Sequence, residues 1–206
     1  MDLAIDQTGI GNRWSLEAGL AGWGLAPVTD VAESAELLRV RRSGQIVTQA
    51  GRLQAIYGRW WPYAGNLLQA KWDSLLRPVA SDRCELFYHQ ASAEGGFLTL
   101  AYVRSGKSTS LSTCYAAALV LDEIAKLKQS SAMLCHVTNA RISQRLLERW
   151  GWQAHCLHWQ GRHYIKRLYG NYPNIAPQWR ERLTLDRNVR SVELVPSARS
   201  GNSAND

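Results

Sequence analysis

The 206-residue sequence contains no stretch of about 18 consecutive apolar residues, the length a helix needs to cross a bilayer. Its longest apolar run, Tyr115 to Leu121, lies between charged flanks, so no membrane span is expected. Asp2, Asp6 and Glu17 interrupt the N-terminal segment and no basic start leads into an apolar core, so a secretory leader is not expected either. There is no Cys-x-x-Cys pair. Cys84, Cys114, Cys135 and Cys156 are widely spread, which fits reduced, buried thiols in a cytoplasmic protein better than a disulfide frame or a zinc knuckle. Gly-x-Ser-x-Gly is missing too, which removes support for a hydrolase nucleophile. The loop R-S-G-K-S from Arg104 to Ser108 has a single glycine and is not a P-loop. Five histidines (His89, His136, His155, His158 and His163) form no His-x-x-x-His pair and have no nearby carboxylate set, so no metal site is expected, although the last hairpin can bring His155 and His163 near each other.

What the chain does have is positive charge, +7 overall. Between Asn139 and Gly170 stand Arg141, Arg145, Arg149, Arg162, Lys166 and Arg167 against Glu148 alone, a basic segment suited to an anionic partner such as nucleic acid. Both ends are poor in groups that bury surface: residues 1–33 are expected to be poorly ordered and residues 187–206 to form a disordered tail, leaving one domain over 34–186.

Within that domain, E-L-L-R-V-R-R over Glu36 to Arg42 reads as a strand, and Gly51 to Trp60 and Ala64 to Leu76 read as helices. Cys84 to Gln90 and Phe97 to Val103 are extended runs around Gly95-Gly96, a β-hairpin. A hydroxyl-rich loop then opens into a helix over Thr113 to Lys128 with Ala116, Leu119, Val120, Ile124 and Leu127 on its apolar face. Ala132 to Val137 reads as an inner strand, parallel to the strand before the helix because a helical crossover separates them. A second helix runs from Asn139 to Trp150, ending at Gly151. Trp152 to His158 and Arg162 to Leu168 complete the series as strands joined by a tight turn at Gln160-Gly161. The fold class this predicts is α/β of the α+β kind: a mixed sheet flanked by helices.

Two places invite chemistry. Backbone N–H groups at the start of the helix near residue 113 are placed to receive an anion such as a phosphate. Arg141, Arg145 and Arg149 recur every fourth residue along one side of the second helix.

The segment T-N-A-R-I-S-Q-R-L-L-E-R-W-G-W from Thr138 to Trp152 resembles a motif of the GNAT N-acetyltransferases. Asn139, Ser143, Arg145, Leu147, Glu148, Arg149, Gly151 and Trp152 follow the pattern of a strand-ending Asn and a Ser-x-Arg-x-Leu-Glu-Lys-x-Gly-Phe helix, with one extra residue between Asn139 and Ser143. The resemblance spans roughly residues 84 to 168. It implies a partly splayed sheet with acetyl-CoA or another acyl-CoA in the cleft, and acyl transfer to an amine, carried by a small molecule or a peptide. It implies that backbone at Tyr102, Val103 and Arg104 faces the thioester, and that Thr109, Ser110, Ser112 and Cys114 line the pyrophosphate. Asn139, Ser143 and Arg145 complete the implied cofactor contacts. The family's pyrophosphate signature registers on Thr109, Ser112 and Cys114, where both of its glycines are missing, and the Tyr that often serves as general acid is Leu147. The amine must lose a proton, so a base is required; Glu85, His89 and His136 are the candidates. The alternative is a GNAT-like module without catalysis, binding nucleic acid or another anion through its arginines.

Overall fold

The computed structural model describes residues 27–58, 82–90, 96–137 and 142–186. The expected helix from Ala64 to Leu76, the sequence's Asn139 and Arg141, residues 1–26 and the C-terminal tail lie outside them.

The described domain begins with a correction. Ala35–Val40 is a short helix, α1, not a strand: Asp30 caps the preceding turn by accepting the Glu33 N–H at 2.9 Å, an Arg39–Glu36 pair spans one turn at 3.1 Å, and Leu38 is buried. A second correction follows at Gly51, where a helix was expected. Strands β1 (Ser43–Gln49) and β2 (Arg52–Gly58) form a hairpin whose two-residue turn holds Ala50 at φ 49° and Gly51 at φ 70°. Two successive positive φ angles give a turn whose twist matches that of the strands it joins. Alanine at the first of these positions hides the turn from a reading that looks for Asn-Gly or Asp-Gly.

The hairpin of β3 (Arg83–Gln90) and β4 (Phe97–Ser105) is where the sequence placed it. Helix α2 (Leu111–Leu127) buries Ala116, Leu119, Val120 and Ile124, the face expected from its spacing, and leads into β5 (Ala132–His136). The second expected helix is shorter: α3 covers Gln144–Arg149, with the Ser143 hydroxyl capping it by accepting the Leu146 N–H at 3.2 Å, and Gly151 ends it at φ 84°. Strands β6 (Gln153–His155) and β7 (His163–Arg167) do form a hairpin, but its connection is the seven-residue segment 156–162 rather than a tight turn. A last helix, α4 (Pro177–Arg182), was not anticipated; the segment after it buries Leu183 and Leu185, and the Thr184 hydroxyl donates to the Thr29 carbonyl at 2.7 Å.

All seven strands form one sheet in the order β2-β1-β3-β4-β5-β7-β6, with every described pair antiparallel except β4 with β5. The mixed α/β class is therefore as expected. Strand alternation sorts the sheet into two faces. Ile46, Leu86, Tyr88, Leu98 and Met133 join the core with α2, while Glu85, Phe87, His89, Tyr102 and Arg104 alternate with them. No helix among the described residues is long and apolar enough to cross a membrane.

Candidate functional site

The parallel pairing of β4 with β5 lasts only four residues, from Phe97 opposite Ala132 to Leu100 opposite Cys135. Beyond it β4 continues five residues to Ser105, while β5 stays paired with β7 to His136. At the point of parting, Tyr88 lies opposite Leu100 and Phe87 opposite Tyr102, so Ala101 is an extra residue, a β-bulge. A bulge bends its strand and re-aims the side chains after it. Beyond this point the ladder between β4 and β5 is not continued, and the edge of β4 on that side is the backbone of Ala101 to Ser105, including Tyr102, Val103 and Arg104. Tyr102 tilts against Phe87 at 6.1 Å, and Val103 packs against the core.

His89 sits beside the bulge, opposite Thr99 on β4, two residues before Ala101. Its ring is half-buried, and Nδ1 is buried with no hydrogen-bond partner. Burial holds its pKa below the ordinary imidazole value of 6.5, so at neutral pH the ring is uncharged and a lone pair is available. Glu85, four positions along the same strand, is committed: Oε1 accepts from Arg83 Nε at 3.0 Å, and Oε2 accepts from Arg104 at 2.7 Å and Gln45 Nε2 at 3.1 Å. His136 ends β5, exposed, with its ring stacked on His163 at 4.5 Å and 12°. His155 and His163 are register partners, as the sequence suggested. Among the described residues no group of three or more His, Cys, Asp or Glu is arranged to hold a metal ion.

The end of β4 leads to the start of α2, where each expected residue has a structural bond. The Thr109 hydroxyl donates to the Arg83 carbonyl at 2.8 Å and accepts the Gly106 N–H at 2.8 Å. Ser110 is the N-cap, accepting the Thr113 N–H at 3.2 Å, and its hydroxyl lies 2.9 Å from that of Ser112. A residue the sequence reading missed, Asp82, accepts the Ser110 N–H at 2.7 Å, and that bond holds its carboxyl below the usual range. An anion therefore already stands at the root of α2. Thr113, buried, anchors the same turn: its Oγ1 accepts the Gly51 N–H and its carbonyl accepts from Thr48, each at 2.9 Å. Nothing in the order of residues points to Asp82; only the fold of β3 brings it there.

No protein-family model matches the chain, and no curated protein and no solved structure is significantly similar to it.

The basic segment is less exposed than its sequence suggests. Lys166 points to the α2 face and is buried, with Nζ donating to both oxygens of Asp122 at 2.8 Å. Arg162 turns to the Ile142 carbonyl and lies over the Tyr164 ring. Arg145, Arg149 and Arg167 are exposed, Arg167 with a hydrogen bond to Gln153. The structure sets Glu85 against Arg104, places His89 opposite Thr99, and brings Thr109, Ser110 and Ser112 together with Cys114 at the start of α2. Ser143 caps α3 and Arg145 lies on it.

Proposed function

We propose that the chain is an N-acyltransferase that passes an acyl group from acyl-CoA to an amine in the cleft between β4 and β5, with His89 as general base. The observation that carries this reading is an uncharged, half-buried imidazole with an unpartnered Nδ1, two residues from the bulge where the parallel ladder opens. His89 lies opposite Thr99, so with about 3.4 Å per residue along a strand and about 4.8 Å between strands its backbone is about 8 Å from that of Ala101, a span that the imidazole and one water bridge toward a group on that edge. In this reading the amine nitrogen, after giving a proton to His89, attacks the thioester carbonyl. Backbone N–H groups of the released part of β4 receive the oxyanion. The C–S bond then breaks and the thiolate leaves, taking up a proton. Glu85 serves the site by holding Arg104 and Arg83 rather than by taking a proton itself. The exposed Lys107, in the loop before α2, offers a cation to the phosphates.

A second reading rests on Asp82. With a carboxylate already bonded to the N–H of Ser110, the N-cap of α2, and side chains at Ser112 and Cys114 where the family pattern has glycines, the pyrophosphate subsite is filled from within. That arrangement suits a GNAT-like module that binds a partner without catalysis.

Calorimetric titration with acetyl-CoA separates the two. The enzyme reading expects saturable binding that His89→Gln leaves unchanged, together with amine-dependent release of CoA that the same substitution lowers by about 10²-fold or more. No heat at millimolar acetyl-CoA, with a folded protein, overturns it in favour of the binding module.

A further inference from the structure

Cys84 is the residue of β3 opposite Thr48 on β1 and Ser105 on β4, and it is fully buried on the face that packs against α2. Cys114 belongs to the first full turn of α2 and is half-buried. The bonds around them hold strand and helix root together: Asp82 to the Ser110 N–H, Arg83 carbonyl to the Thr109 hydroxyl, and Thr48, the neighbour of Cys84 across the ladder, to the Thr113 carbonyl. Thr48, across the ladder from Cys84, bonds to the residue before Cys114, and Cys114 packs against the core to which Cys84 belongs, so the two side chains lie on the same β3–α2 contact. The neighbouring Cys114 and burial push the Cys84 thiol up, while the Cys114 thiol beside it is held below its ordinary value against the opposing effects of burial and of Asp82. Both thiols are free, and thiolate character with partial exposure is what makes a cysteine reactive toward oxidants.

We propose that Cys84 and Cys114 are a redox-active pair that closes to a disulfide on exposure to a peroxide, joining β3 covalently to the root of α2. Cys114, the less buried member, reacts first. Its thiolate sulfur attacks one peroxide oxygen; the S–O bond forms, the O–O bond breaks, and hydroxide leaves and takes a proton to become water. The sulfur of Cys84 then attacks that of Cys114; the S–S bond forms, the S–O bond breaks, and the sulfenic hydroxyl leaves with the Cys84 proton as a second water. Both thiols are oxidised and one peroxide is reduced. Cys135, buried in β5, and Cys156, in the β6–β7 connection, have no such partner among the described residues and stay reduced.

The test is a peptide map of the full chain. Reduced protein is treated with equimolar hydrogen peroxide, alkylated without reduction and digested. The expected product is a linked peptide pair containing Cys84 and Cys114, two hydrogens lighter than the separate peptides and released by dithiothreitol, with Cys135 and Cys156 alkylated. Cys84→Ser leaves Cys114 trapped as a sulfenic acid that dimedone labels, and Cys114→Ser leaves Cys84 unoxidised. Full alkylation of both thiols after peroxide, over-oxidation of Cys114 beside an unreacted Cys84, or a bond from Cys114 to any other cysteine overturns the proposal. The wild-type map decides by itself if either variant fails to fold.

Discussion

Two side chains on one strand show how environment, rather than residue type, assigns a role. Glu85 is a carboxylate by identity and a ligand of cations by surroundings, since both its oxygens are occupied by Arg83, Arg104 and Gln45 in a site from which water is nearly excluded. Removing one partner of such a buried set leaves the other charge uncompensated, so Glu85→Ala is expected to cost about 3–5 kcal/mol in urea unfolding, and Glu85→Gln less because the amide still accepts from Arg104. A role as proton acceptor would instead leave stability unchanged in both variants. His89 shows the opposite case. Its folded pKa lies below 6.5 because burial disfavours the imidazolium, so the neutral ring is the form the fold prefers. The contribution to stability is complete above the unfolded value of about 6.5 and is lost as the pH falls from there through the lower folded value. His89→Gln should therefore flatten the decline in the urea midpoint between about pH 7 and pH 5, and the amine-dependent rate of the wild type should fall over the acid side of the same range.

The elements that pack by their own hydrophobic pattern were legible, and those set by a turn or a cap were not. The β3–β4 hairpin, α2 and β5 each carry enough apolar residues in one period for the sequence to specify them, and Gly151 marks the end of α3 as a C-terminal glycine should. The pattern of Glu36 to Arg42 served a helix as well as a strand, and the β1–β2 turn was invisible because Ala50 adopts a conformation that alanine seldom takes. For the site, Thr109, Ser110, Ser112 and Cys114 are neighbours by sequence alone, whereas Asp82, Thr48 and Gly51 reach that loop only through tertiary pairing. The anchoring of α2 by those residues is open to measurement. Thr113→Val keeps the side-chain shape while taking the acceptor away from the buried Gly51 N–H, so it is expected to cost about 1–3 kcal/mol, read by urea unfolding. A loss near zero would mean that water reaches the turn. In the β6–β7 connection, Gly161 has φ 105° and an added Cβ would collide with the His136 ring, so Gly161→Ala should disturb the stacked His136 and His163 resonances in an NMR spectrum while leaving those of His89 in place.

At the scale of the whole molecule, β4 and β5 share four register pairs in the middle of the sheet, and α2 adds a second link between β2-β1-β3-β4 and β5-β7-β6. Thr113 fastens the helix to β1 and to the β1–β2 turn, and Asp122, two and a half turns on, fastens it to Lys166 of β7. Burial pushes the Asp122 carboxyl up and Lys166 pulls it back down, so the charge on Asp122 depends on that one lysine. Lys166→Met should then cost about 3–5 kcal/mol, whereas Asp122→Leu combined with Lys166→Met should restore most of it, since a matched apolar pair carries no desolvation penalty. The same variants separate stability from cofactor binding. If acetyl-CoA binds at β4 and β5 as proposed and the ion pair positions those strands, the double variant will regain its urea midpoint yet bind acetyl-CoA with altered affinity; if α2 packing alone positions them, both properties will return together.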